Sequence, residues 1–305
     1  MLKIRYILAA IVVSFIIFSC DDDNFTNNPF ADVDYEALAI SDNDSIVKFL
    51  QAHYYDTDID SVKVLVDGKT SMFDDNDRLK KMNVTENDIN YTLYVYVARE
   101  GDYGADIDKG FPTKVDSVFA KYSGRTFTGT SLNTSNFDQN QSGIWFNLTS
   151  VIRGWSYGFT KFKGGELKKG PNGEPFNGPV TFLEGGKGAI FIPSGLAYPS
   201  SNTQNWSRNL VDTNLMFYID LLTIVPDTDH DNDGVRSIDE DLDGDGNVNN
   251  DNTDGDIYAN FFDVDDDGDG VLTKDEDANG DGNPANDFSD PNNPDLPDYL
   301  NPDIR

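Results

Sequence analysis

Two short runs decide how this chain is read: Val151-Ile152-Arg153-Gly154-Trp155 and Ile192-Pro193-Ser194-Gly195-Leu196-Ala197-Tyr198. Each joins branched residues to an aromatic through Gly or Pro, so Trp155 and Tyr198 are expected in turns that expose their side chains. Working outward, the chain alternates as strands do. Val62, Val64 and Val66 precede Asp67-Gly68, and Ile89, Tyr91, Leu93, Val95 and Val97 keep strict period two. Residues 117–122, 143–148, 188–193 and 214–225 are further strand candidates. Over 44–55, Ile46, Val47, Leu50 and Tyr54 fall at helical spacing behind a capping aspartate. The fold class expected is α+β with an antiparallel sheet.

Read in order, six segments carry more. They are Val118-Phe119-Ala120-Lys121-Tyr122-Ser123-Gly124, Phe137-Asp138, Phe146-Asn147-Leu148, the Trp155 run, the Tyr198 run, and Leu215-Met216-Phe217-Tyr218-Ile219-Asp220-Leu221-Leu222. Over roughly residues 115–225 this series resembles the FKBP-type peptidyl-prolyl isomerases. The resemblance implies an antiparallel sheet curled around a short helix, proline-containing polypeptides as partners, and no cofactor for isomerisation. It also implies roles: Trp155 as the floor under a prolyl ring, Tyr122, Phe137, Val151, Ile152 and Phe217 as walls, and the Tyr198 hydroxyl holding a substrate carbonyl. Asp138 would orient the pocket by a hydrogen bond with Tyr122. Taken singly, aromatic and branched residues on strands are more often core than cradle.

The chain departs from that family in several places. The stretch 124–137 is long, Ile144 stands where an aromatic is expected, Pro199 follows Tyr198, and a Gly-, Pro- and Lys-rich insert occupies 164–184. Residues 35–114 read as an N-terminal extension packed on the sheet, with His53 a surface or partly buried helix residue; residues 115–226 are the isomerase-like domain.

The N-terminus looks like an address. Lys3 and Arg5 precede an apolar run over 6–18, then Ser19-Cys20, the order of a secretory signal. The run is shorter than the ~20 apolar residues of a membrane span. Ile17-Phe18-Ser19-Cys20 resembles a lipobox, which implies a signal peptide over 1–19, a lipid anchor at Cys20, a tether over 20–34, and the cell envelope of a Gram-negative bacterium. An ordinary cleaved signal with an incidental thiol is the alternative.

Charge divides the chain. Of 54 acidic and 23 basic side chains, net −31, residues 227–305 hold 24 aspartates, two glutamates and three basic residues, a net −23; the preceding 226 residues carry −8. This balance excludes nucleic acid as a partner, since phosphate needs clustered Lys and Arg. One cysteine excludes an internal disulfide, and two histidines make a His-rich zinc cluster improbable.

Asp229, Asp231, Asp233, Ser237 and Glu240, with the Val235 carbonyl and Gly234 at position 6, match an EF-hand calcium loop. Asp265, Asp267, Asp269, the Val271 carbonyl, Thr273 and Glu276 repeat it around Gly270. Asp241, Asp243 and Asp245 form a partial loop, and Asp277 opens another at the same spacing of twelve, with the register at Thr253 breaking the series. Abutting loops leave no room for paired helices, so the segment is similar to thrombospondin type 3 repeats, with structural Ca²⁺ as the ligand implied. Charge runs are commonly solvated tails, and three overall readings stand: an anchored prolyl isomerase, a non-catalytic surface binding protein, and a calcium-dependent adhesion protein.

Overall fold

In the computed structural model, which describes residues 29–206 and 208–305, the strongest apolar segments line up in one six-strand antiparallel path. The proposed signal over 1–19 and Cys20 lie outside the described residues. The elements are α1 (Tyr35–Ala52), β1 (His53–Asp56), β2 (Ser61–Val64), β3 (Leu79–Glu86), β4 (Ile89–Arg99), β5 (Ser117–Thr128), β6 (Ser131–Leu132), β7 (Asp138–Asn147), α2 (Arg153–Phe159), β8 (Glu166–Leu167), β9 (Phe182–Leu183), β10 (Gly186–Ile192) and β11 (Leu215–Val225). The main sheet runs β3-β4-β10-β11-β5, with β7 on the far side of β5 and the short β6 also paired to β5. All its pairings are antiparallel. The α+β expectation is met, and the sheet draws its strands from both 35–114 and 115–226.

Strand β10 explains the layering. Ala189, Ile190, Phe191 and Ile192 are all fully buried, the continuous apolar run of a strand covered on both faces. Ala189 and Phe191 meet α1 through Ile46, Phe49 and Leu50. Ile190 and Ile192 share the opposite cluster with Trp155 and Phe159 of α2. Gly154 and Gly158 let α2 come that close: a Cβ on Gly158 would stand 2.6 Å from Ile190 Cδ1, and one on Gly154 would collide with Ile192.

The first helix differs from the expectation over 44–55. It begins at Tyr35, with Asp34 as cap accepting the Ala37 amide at 3.0 Å, and ends at Ala52. Asp44 lies inside it because the 35–40 stretch of Leu, Ala and Glu continues the helix N-terminally. Tyr54 falls on β1 instead, and His53, expected as a surface or partly buried helix residue, is a buried strand residue stacked on Phe49 at 3.9 Å. Strand β3 was not anticipated, because Lys80-Lys81 breaks its alternation. Trp155 is likewise not in a turn but on α2, so its ring points inward.

Residues 34–305 form one compact unit. Beyond β11 the described chain has no α-helix or strand, only single 3₁₀ turns. A repeated hydrogen bond shapes it instead: the side chains of Asp229, Asp241, Asp265 and Asp277 accept the backbone N–H groups of Gly234, Gly246, Gly270 and Gly282 respectively. Each of these glycines has φ between 81° and 102°, a conformation that strains any residue with a Cβ. Two small apolar clusters pin the segment. Val248 and Phe261 pack with Val115, and Val235 packs with Tyr299 and Leu300.

Candidate functional site

Between α2, the β3–β4 tip and the turn after β10 lies a cavity of about 890 Å³. Seven of the eight residues expected there line it: Tyr122, Asp138, Val151, Ile152, Trp155, Tyr198 and Phe217. Phe137 does not; it stands behind, edge-on to Phe217 at 5.4 Å, and supports that wall.

The floor is an aromatic box. The Trp155 indole meets Phe146 at 4.9 Å, Tyr122 at 5.0 Å and Phe217 at 5.0 Å, all edge to face, the geometry that aromatic quadrupoles favour. Trp155 is 5 % exposed, and its Nε1–H has no hydrogen-bond acceptor among the described residues. Tyr122 donates its hydroxyl to Asp138 Oδ2 at 2.8 Å. Burial and then that carboxylate push the Tyr122 hydroxyl up to about 12, so it remains a donor.

The turn bearing Tyr198 is held from below. Asp42, in the middle of α1, accepts the Ser194 N–H at 2.8 Å and the Ser194 hydroxyl at 2.6 Å. Burial raises the Asp42 pKa, against the lowering effect of the Ser194 hydrogen bonds. Tyr198 is half-buried, with burial raising its pKa, and Arg208 covers its ring at 4.7 Å. Its hydroxyl makes no hydrogen bond to a described residue. Beyond the residues expected from the sequence, Phe146, Arg208 and the ion pair of Arg153 with Glu86 at 2.8 Å also line the cavity. Phe146 was visible within one of the six segments. Glu86 belongs to the unanticipated strand β3, and nothing local marked it.

A second constellation lies in the acidic segment. Carboxylate oxygens come within 4.8 Å of one another in five groups: Asp229, Asp231 and Asp233; Asp233, Glu240 and Asp266; Asp241, Asp243 and Asp251; Asp254, Asp256 and Asp263; Asp265, Asp267 and Asp269. Several members are deeply buried without a donor. Among the described residues both oxygens of Glu240 and of Asp231 lack a partner, as does one oxygen each of Asp233, Asp251, Asp265, Asp266 and Asp267; Glu276, expected as a ligand with Asp265, Asp267 and Asp269, stands outside their group, likewise with one buried oxygen unpaired. Burial first and neighbouring carboxylates second push Glu240 up to about 10 and Asp231 and Glu276 up to about 8. Buried like charges without donors require a proton or a cation between them, and the oxygen-only donor sets fit a hard metal ion. These clusters can hold a metal ion.

The structure also redistributes the expected ligands. Asp245 is outside its group, its oxygens taken by the Asn247 N–H and Asn250, and Asp251 stands in its place. The Ser237 and Thr273 hydroxyls face His230 and Asp266, the second residues of their loops. Val235 and Val271 donate their N–H groups to Asp233 and Asp269, curling each loop. Asp266 and the group at 254–263 went unread because they lie off the twelve-residue register.

An α+β protein with an aromatic-floored cavity and an acidic, metal-competent C-terminal segment is thus defined by its own geometry. Among known families, the model described as BamM C-terminal matches residues 230–296. No curated protein matches the chain. Among solved structures it is similar to a peptidyl-prolyl cis-trans isomerase from Pseudomonas syringae pv. tomato, at 18 % identity and TM-score 0.35 over 63 % of this chain and 97 % of that one. It is also similar to FkpA from Escherichia coli, at 21 % identity and TM-score 0.32 over 50 % and 55 %. A third is the N-terminal domain of FKBP42 from Arabidopsis thaliana, at 16 % identity and TM-score 0.30 over 44 % and 86 %. Among the described residues no helix is long and apolar enough to cross a membrane.

Proposed function

We propose that this chain is a peptidyl-prolyl cis-trans isomerase of the FKBP type that assists the folding of exported proteins from a lipid anchor at Cys20 in the bacterial cell envelope. One observation carries the catalytic reading: the Trp155 floor, boxed by Tyr122, Phe146 and Phe217, opens onto a cavity with a free Tyr198 hydroxyl on its wall. Rotation about an X-Pro bond meets a barrier of ~18–20 kcal/mol because the planar amide loses its resonance. The twisted amide has a less polar carbonyl, so the apolar aromatic floor of the cavity favours it over the planar ground state. Phe217, Val151 and Ile152 enclose the prolyl ring, and Tyr198 donates to a neighbouring backbone carbonyl, fixing the segment while the bond turns. No group has to accept or lose a proton.

The acidic segment binds Ca²⁺ structurally in this reading. The carboxylate groups hold the ions, whose charge offsets carboxylate repulsion; oxygen-only sites of extracellular modules bind at ~10⁻⁴–10⁻³ M. A protease-coupled assay on a Leu-Pro peptide tests the enzyme: turnover above background, lost in Trp155→Ala and reduced in Tyr198→Phe, is expected. A parent protein with no turnover leaves a surface binding protein instead.

A further inference from the structure

We propose that Asp241, Asp243 and Asp251 form a divalent-cation site whose occupancy holds helix α2, and with it Trp155, in place under the cavity. This rests on the reading of the acidic segment as cation-loaded and adds what the cation does.

The site is built rather than merely acidic. Asp251 is 6 % exposed, and its Oδ2 has no hydrogen-bond partner, while its carboxylate oxygen stands within 4.8 Å of those of Asp241 and Asp243. Its other oxygen takes the Leu242 N–H at 3.1 Å, and Asp241 takes the Gly246 N–H at 2.8 Å. Asp241 and Asp251 therefore cinch the loop between them, Asp243 curls it by taking the Asp245 N–H, and no ion pair with a described basic side chain neutralises any of the three. An oxygen-only set of three carboxylates selects a hard divalent ion of the calcium class.

The far side of the same loop grips the helix. The Gly246 carbonyl accepts from Arg153 Nη1 at 2.7 Å, and the Asp245 carbonyl accepts from Tyr157 Oη at 2.7 Å. Arg153 and Tyr157 are four residues apart, hence on one face of α2, and the Tyr157 ring belongs with Trp155 and Phe159 to the core beneath the helix, only its hydroxyl reaching the loop. With a cation bound, the carboxylates draw together and the two carbonyls stay where the helix needs them. Without it, mutual repulsion opens the 241–251 loop, and Arg153 Nη1 and Tyr157 Oη lose these acceptors.

Hydrogen exchange on the mature full-length protein, with and without millimolar Ca²⁺, tests this alongside equilibrium dialysis. Calcium should raise protection of the 153–159 amides about tenfold, the effect of one or two net hydrogen bonds. Asp251→Asn should bind one ion fewer and keep α2 at the unprotected level in saturating calcium. Tyr157→Phe, which leaves the carboxylates untouched, should bind the full number of ions yet lose much of the gain. An Asp251→Asn protein that binds as many ions as the parent, or α2 protection indifferent to calcium, overturns the inference. A parent that binds no calcium at all overturns the reading of the segment beneath it. Absence of Leu-Pro turnover bears only on the isomerase reading, since exchange is read without it.

Discussion

Replacing Asp42 is the sharpest test of how the Tyr198 turn is held. Its carboxylate is the acceptor for both the N–H and the hydroxyl of Ser194, and Asp42 and Ser194 are both buried. In Asp42→Ala both donors lose their partner, at ~1–3 kcal/mol each, while relief of a buried carboxylate offsets part of that. A net loss of ~2 kcal/mol follows, a large share of the ~5–15 kcal/mol of a typical domain. Asp42→Asn keeps an acceptor for the amide and a donor toward the hydroxyl oxygen, so it should cost much less.

The two variants also separate by pH. Burial raises the folded-state pKa of Asp42 above 3.8, so its stabilising contribution is complete below that value and declines as pH rises through the raised one. Asp42→Asn lacks the decline and should close on the parent between pH 4 and pH 7. Urea unfolding at both pH values measures this, and peptide isomerisation should fall in the Ala variant as the turn loosens. An Asp42→Ala protein within ~0.5 kcal/mol of the parent, with unaltered turnover, refutes the reasoning.

Gly158→Ala sets a Cβ against Ile190 and should destabilise by ~1–2 kcal/mol in urea, since overpacking outweighs the helix-propensity gain. Burial lowers the His53 pKa, so its contribution is full above pH 6.5 and lost as pH falls through the folded value; the urea midpoint should drop between pH 7 and pH 5, and less so in His53→Phe. Removing calcium should lower the melting temperature by the linkage of each emptied site, ~0.4–1.4 kcal/mol at millimolar ion; a chelator that leaves the melting curve unchanged counts against loaded sites.

Much of the strand pattern was legible because period two survives wherever one face is buried: Tyr91, Leu93 and Val95 on β4 needed no tertiary information. The cavity residues were legible through the order of six segments, and their placement around Trp155 follows from the glycine spacing 154/158 that seats α2 on β10. What escaped was set by distant partners. Asp34 rather than Asp44 caps the first helix because Ala39 packs into the core and Asp42 takes both Ser194 donors, contacts that only the longer element makes. Asp251 replaces Asp245 because the loop folds back on itself, a closure no linear twelve-residue count contains. Glu86 reaches Arg153 only through a strand whose lysines hide its alternation.

The strand order has a consequence for a chain that emerges N-terminus first. The β3–β4 and β5–β7 ribbons are each synthesised well before β10 and β11, yet these two later strands sit between them. Until the last third of the protein is made, two half-sheets wait with bare edges that could pair with any passing strand. Closure of the sheet therefore waits on β10 and β11, the strands that join the two ribbons.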